Sequence, residues 1–142
     1  MVERIARKKM ELVVSDTGNG LEIAFYRLGR GVLAPEVSNI VTLKGRDITF
    51  FAGQLTDPAV LDPTGKIDLK EPYPFIIRVR WDNMHRILSF IPWKGGESAE
   101  SIRLSPLEAF RVGELAKNTA LINHLMLRLK KTNERVNRAK NN

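Results

Sequence analysis

The residue types that most often do chemistry are sparse here, and their spacing argues against catalysis. The chain holds two histidines, His85 and His124, and no cysteine. Neither histidine has an Asp and a Ser at the spacing of a nucleophile–base arrangement, so no catalytic residue is expected and the chain reads as a non-enzyme. Asp57, Asp62 and Asp68 are spread irregularly through a segment rich in Asp-Pro pairs. Aspartate before proline is ordinary turn chemistry, so neither a metal site nor a cofactor is expected. Gly29-Arg30-Gly31 is too short for a phosphate-cradling loop and does not open a helix.

A different chemistry is legible between residues 73 and 94. Tyr73–Trp81 and His85–Trp93 read as two strands of a hairpin turning at Asp82-Asn83-Met84. Residues directly opposite one another in an antiparallel pair share a face. One face then carries Phe75, Ile77, Val79, Trp81, Leu88 and Phe90, a core face that needs a cover. The other carries Ile76, Arg78, Arg80, His85, Ile87, Ser89, Ile91 and Trp93. Arginine beside an exposed indole suits single-stranded nucleic acid, whose bases stack on flat rings while guanidinium groups hold phosphates. Arg78, Arg80 and Trp93 are the expected contacts, helped by Arg86 and Lys94. The competing reading makes Trp93 and the isoleucines a second core layer or a subunit interface, with the arginines at its rim.

The elements that position this hairpin follow from periodicity. Gly20–Leu28 alternates with a period of two and reads as a strand, as does Lys9–Val14. Asn39–Leu43 and Asp47–Ala52, separated by Lys44-Gly45-Arg46, read as a second hairpin. Residues 53–72 carry Asp57-Pro58, Asp62-Pro63, Thr64-Gly65 and Glu71-Pro72 and read as a long loop. Ser101–Leu104 is a short strand. Ser105, Pro106 and Glu108 then form a capping box with proline at the first helical position. The helix they open is predicted to run to about residue 138. Leu115, Thr119, Ile122, Met126, Leu129, Asn133 and Val136 follow a spacing of four and three along it, a heptad-like seam. Its first half must pack on the sheet. Its second half reaches beyond a compact sheet to dimerise, bind nucleic acid or fray, with Ile122, Met126, Leu129 and Val136 as the oligomerisation set.

The expected fold is α+β, a twisted antiparallel sheet with one long C-terminal helix packed across it. Residues 1–142 are read as a single domain, 9–104 mainly sheet and 105–138 helix with a basic tail. Its 43% hydrophobic content is enough for a core. No apolar run is long enough for a membrane span, and the basic N-terminus lacks the apolar stretch of a signal peptide. With no cysteine, a cytoplasmic setting is expected, nucleoid-associated or viral settings included. The net charge of +7 is uneven: residues 1–9 carry +3, residues 105–142 carry +5 and the stretch between carries −1. Clustered Lys and Arg point to a polyanionic partner, since neutralising phosphates releases counterions.

Ile102-Arg103-Leu104-Ser105-Pro106-Leu107-Glu108-Ala109-Phe110 resembles the junction in single-stranded-DNA-binding proteins of the Whirly and positive-cofactor-four type. There a last short strand of the form Ile-x-Leu runs into a capped helix lying across an antiparallel sheet. Ile102 and Leu104 match the strand, Ser105-Pro106 the cap and Phe110 the first large helix residue. The resemblance spans about residues 73–120 and implies sequence-tolerant single-strand binding by a homo-oligomer, dimer or tetramer. The sequence departs from that family in three ways. Whirly proteins repeat the sheet–helix unit, whereas one helix is read here; the Asp/Pro-rich loop and the extended basic tail are also atypical. The expected partner is single-stranded nucleic acid, DNA before RNA. The alternative is a structural or adaptor protein, of phage or viral origin among others, that assembles through its C-terminal helix.

Overall fold

The computed structural model describes residues 1–28, 36–56, 66–70, 72–93 and 99–141. Four strands come first: β1 (Val2–Ala6), β2 (Met10–Asp16), β3 (Leu21–Arg27) and β4 (Glu36–Leu43). They form one antiparallel sheet in chain order, and helix α1 (Arg46–Thr56) follows. The pattern then repeats. Strands β5 (Lys66–Leu69), β6 (Phe75–Asp82), β7 (His85–Pro92) and β8 (Glu100–Leu104) form a second antiparallel sheet in chain order, and helix α2 (Pro106–Lys140) closes the chain.

The fold is therefore α+β with a long C-terminal helix packed on antiparallel sheet, as expected. It has two sheets, however, and a second helix where a strand was read. Asp47–Ala52 is rich in Ile, Thr and Phe, residues that favour strands. A longer window carries the other period: Ile48, Phe51, Ala52 and Leu55 are all buried, at the spacing of one helical face. Lys44-Gly45-Arg46 turns a strand into a helix instead of closing a hairpin, with Gly45 at φ +59°. The departure from Whirly proteins over a single helix does not hold, because the sheet–helix unit occurs twice. The expected loop at 53–72 contains the last turn of α1 and all of β5, and its Asp57 and Asp62 lie outside the described residues. So does Gly29-Arg30-Gly31.

Both sheets face one shared core. Leu12, Val14, Ile23, Phe25, Val41 and Leu43 of the first sheet meet Ile77, Val79, Leu88, Phe90, Ile102 and Leu104 of the second. Phe25 stands edge-on to Phe90, ring centroids 4.7 Å apart, and Phe75 stacks on Phe90 at 4.5 Å. The core parity read for the β6–β7 hairpin holds at Ile77, Val79, Leu88 and Phe90, all at most 3% exposed. Helix α2 adds Ala109, Val112, Leu115 and Ala116. It runs against α1 so closely that a Cβ on Gly113 would sit 2.2 Å from the Thr56 methyl. That close approach explains a glycine inside a helix whose interior otherwise disfavours one.

Burial along α2 stops at Thr119, and every residue from Leu121 onward except the half-buried Asn123 is exposed among those described. The last turns project from the body by roughly 30 Å at 1.5 Å per residue. The basic N-terminus is not a free tail. Residues 2–6 are an edge strand, and Arg7 reaches the start of α2. Its guanidinium donates to both carboxylate oxygens of Glu108, at 2.7 and 3.0 Å, and to the Arg103 carbonyl at 2.8 Å. Glu108 also completes the capping box with Ser105.

Chiefly through the Arg7 hydrogen bonds, and against the opposing effect of burial, the Glu108 carboxyl is held at about 2. A depressed carboxyl pKa contributes stability above the unfolded value near ~4.3, and that stability is lost as the pH falls through the folded value. The pair is partly solvated, so about 1–2 kcal/mol is expected after allowance for screening. Thermal melts of the protein and of Glu108→Gln should differ at pH 7 and converge by about pH 2. A gap that persists unchanged at pH 2 would remove the ion pair as its cause.

Candidate functional site

A cleft of ≈ 870 Å³ opens where the edge of the first sheet meets the second. Arg27, Glu36, Val37, Ser38 and Asn39 line it from β3 and β4. Pro74, Phe75, Phe90, Pro92, Trp93 and Glu100 line it from the other sheet. Phe90, which meets Phe25 edge-on in the core, is part of its lining.

Trp93 is held ready in this cleft. Its indole N–H donates to the Tyr73 carbonyl at 3.0 Å, while 46% of the residue is exposed. The polar edge of the ring is thus satisfied and its apolar surface is left to solvent. Tyr73 is itself buried and its phenol donates to Asp47 at the start of α1. Burial, then the Asp47 hydrogen bond and charge, raise the phenol pKa above its usual value, so the hydroxyl keeps its proton and the link holds. The chain α1–Asp47–Tyr73–Trp93 fixes a half-exposed indole at the mouth of the cleft.

Sequence parity put Trp93 on one face with Arg78 and Arg80. The strand ends at Pro92, and Trp93 lines the cleft beside Phe75 and Phe90 instead. Arg78 and Arg80 remain on the outer face of the second sheet, opposite Ser89 and Ile87. Arg78 is clamped by Asp68, with Nε to Oδ1 at 2.7 Å and Nη2 to Oδ2 at 2.9 Å. Arg103 pairs with Asp82 at 3.2 Å on the same face. Arg80 is exposed and makes no ion pair among the described residues. The structure therefore divides the expected surface in two: an aromatic cleft, and an outer face whose arginines are mostly paired.

Arg86 is placed elsewhere altogether. It is 5% exposed, and its guanidinium carbon lies 3.2 Å from the centroid of the Trp81 ring. Nε donates to the Gln54 carbonyl at 3.0 Å, and Nη1 to the Met84 and His85 carbonyls at 3.2 Å each. Gln54 lies in the last turn of α1, where a cation meets the negative end of the helix dipole. Burial lowers the guanidinium pKa. Strand parity already put Arg86 on the core face with Leu88 and Phe90, opposite Trp81, but its partner was hidden because α1 was read as a strand. Lys94 lies outside the described residues.

Sequence reasoning also missed Arg27, Ser38, Asn39, Tyr73 and Glu100. No local signal marks them, because the cleft is made by packing two sheets distant in sequence. His85 sits half-buried at the hairpin and His124 is exposed on α2. Among the described residues no group of three or more His, Asp or Glu side chains is gathered to hold a metal. Among the described residues no helix is long and apolar enough to cross a membrane. Ile122, Met126, Leu129 and Val136 are 43–62% exposed on the projecting part of α2.

Replacing Arg86 with Met should lower folding stability by about 2–3 kcal/mol, because it strips charged donors from buried carbonyls. Denaturant titration measures this. Unchanged stability would contradict the capping role drawn for Arg86.

No known family model matches the chain, and no curated protein matches it. Its fold is similar to that of a chain in the crystal structures of Trypanosoma brucei MRP1/MRP2, with a TM-score of 0.69 and 11% sequence identity. The match covers 87% of this chain and 85% of that one.

Proposed function

We propose that this is a non-catalytic protein that binds single-stranded nucleic acid, DNA before RNA, and self-associates through the projecting part of α2. The observation that carries the reading is the cleft between the sheets. It is open, ≈ 870 Å³ in volume, and walled by the half-exposed Trp93 with Phe75. A base stacks on such a ring whatever its identity, which is how single strands are held without sequence readout. The bases of a duplex are already stacked on one another and cannot enter. Arg27 at the cleft rim and Arg78 and Arg80 on the outer face of the second sheet supply cations for the backbone. The doubled sheet–helix unit supports the resemblance to Whirly-type proteins, and with it the single-strand binding that the resemblance implies.

Self-association rests on α2. Leu121, Ile122, Leu125, Met126, Leu129 and Val136 are all exposed among the described residues. A helix of this length in water draws its stability mainly from packing an apolar face, so a second copy is its natural cover.

Binding of fluorescent single- and double-stranded oligonucleotides across a salt series tests the first part. Trp93→Ala should weaken single-strand binding by on the order of 1–3 kcal/mol at low and high salt alike. The Arg78→Ala, Arg80→Ala pair should flatten the salt dependence by ~0.7 for each phosphate that is no longer neutralised. Absence of binding to either strand form at low salt would overturn the proposal in favour of a structural or adaptor role.

Light scattering on a chain truncated after His124 tests the second part. The mass should fall to that of a monomer, and an unchanged oligomer would place the interface elsewhere.

A further inference from the structure

The base cleft contains an acceptor that stacking does not need. Glu100 opens β8, and both of its carboxylate oxygens are held from the first sheet. The Ser38 hydroxyl lies 2.6 Å from Oε2 and 3.0 Å from the Phe25 carbonyl, its one proton shared between them, and the Asn39 amide donates to Oε1. Consecutive residues of a regular strand point to opposite faces, so one carboxylate should not meet both. Here the β3–β4 pairing shifts register between Phe25 and Tyr26: Asn39 faces Phe25 and Val37 faces Tyr26, leaving Ser38 as the extra residue of a bulge. The bulge turns two neighbouring side chains onto Glu100.

A fixed carboxylate lining the same cleft as Trp93 and Phe75 is out of place if the cleft only holds a phosphate backbone, which it repels. An ionised carboxylate has about four acceptor positions, and the first sheet occupies two. The remaining positions belong to a side chain that lines the cleft. We infer that Glu100 reads the edge of the base stacked in the cleft and selects bases with an exocyclic amino group over thymine and uracil. Cytosine, adenine and guanine each present an amino donor, N4, N6 or N2. Thymine and uracil present a single ring N–H between two carbonyls, whose lone pairs face the carboxylate. Anchoring by Ser38 and Asn39 makes the selection sharper, because Glu100 cannot swing away from the wrong base. This inference rests on the single-strand reading of the cleft.

Competition binding with oligo-dC, oligo-dA and oligo-dT of equal length tests it on the unmodified protein. Oligo-dC and oligo-dA should bind about tenfold more tightly than oligo-dT, the value of one hydrogen bond to a charged group. Replacing adenine with unsubstituted purine, which lacks the amino group, should bring oligo-dA down to oligo-dT. Glu100→Gln should remove the discrimination while leaving the Trp93 contribution in place. Equal binding of all three oligomers, or tighter binding of oligo-dT, overturns the selectivity and leaves the single-strand reading standing. A purine oligomer that binds like oligo-dA also overturns it. Failure of every oligomer to bind at low salt overturns the single-strand reading itself.

Discussion

Phe90 is in contact with both halves of the molecule, and much else follows from that position. Its ring meets Phe25 edge-on and Phe75 face-on. Each pair contributes ~0.5–1.5 kcal/mol beyond the burial of its area. The larger consequence is geometric. A four-stranded sheet with one apolar face must dry that face, and each sheet here dries the other's, with the helices covering what remains. Twisted sheets cannot stay in contact along their whole width. Phe90 meets Phe25 in the shared core and also lines the cleft, so the cleft borders that core. Its floor is a core residue and its mouth is a half-exposed indole.

That origin explains which features the sequence displayed. Alternation within β6 and β7 is a local property, and it placed Ile77, Val79, Leu88 and Phe90 inward. The capping box at Ser105 is local too, and α2 begins where it said. Helix α1 was hidden because its strand-forming composition and its helical spacing disagree, and packing decides between them. Ile48, Phe51, Ala52 and Leu55 bury together only as a helix, against an α2 face cleared by Gly113. That lone glycine in α2 was visible in the sequence, but its reason was the second helix. The cleft was not legible at all. Ser38 and Glu100 are 62 residues apart, and nothing near either reports their meeting. Trp93 was picked out for the right property, an exposed ring, but given the wrong neighbours, because strand parity was extended past a proline at which the strand ends.

The positive charge of the chain also reads differently once its partners are known. Arg7 locks the β1–β2 corner to the start of α2, Arg86 caps α1, Arg78 lies in the Asp68 clamp and Arg103 pairs with Asp82. These arginines hold one element to another, so a count of cations overstates the charge available to a ligand. In the proposed reading the clamp on Arg78 does not remove it from binding. A carboxylate pair fixes the guanidinium plane, leaves part of its fork outward, and reduces the entropy lost when a phosphate approaches.

Helix α2 belongs both to the core and to the exposed surface. Up to Thr119 it is a core element, closed by the Thr119 hydroxyl bond to the Leu115 carbonyl and by the α1 face. Beyond Ala120 the same helix carries Leu, Ile and Met side chains into solvent together with most of the basic residues of its tail. Those two features impose opposite requirements. Apolar side chains at heptad spacing favour bringing copies together, while like charges of Arg128, Lys130, Lys131 and Arg135 on each copy push them apart. A bound polyanion relieves the second effect without weakening the first, since it neutralises the charges and leaves the seam dry. In the proposed reading self-association and nucleic-acid binding are thermodynamically linked: whatever helps the strand bind stabilises the assembly, and assembly raises affinity for the strand by the same factor.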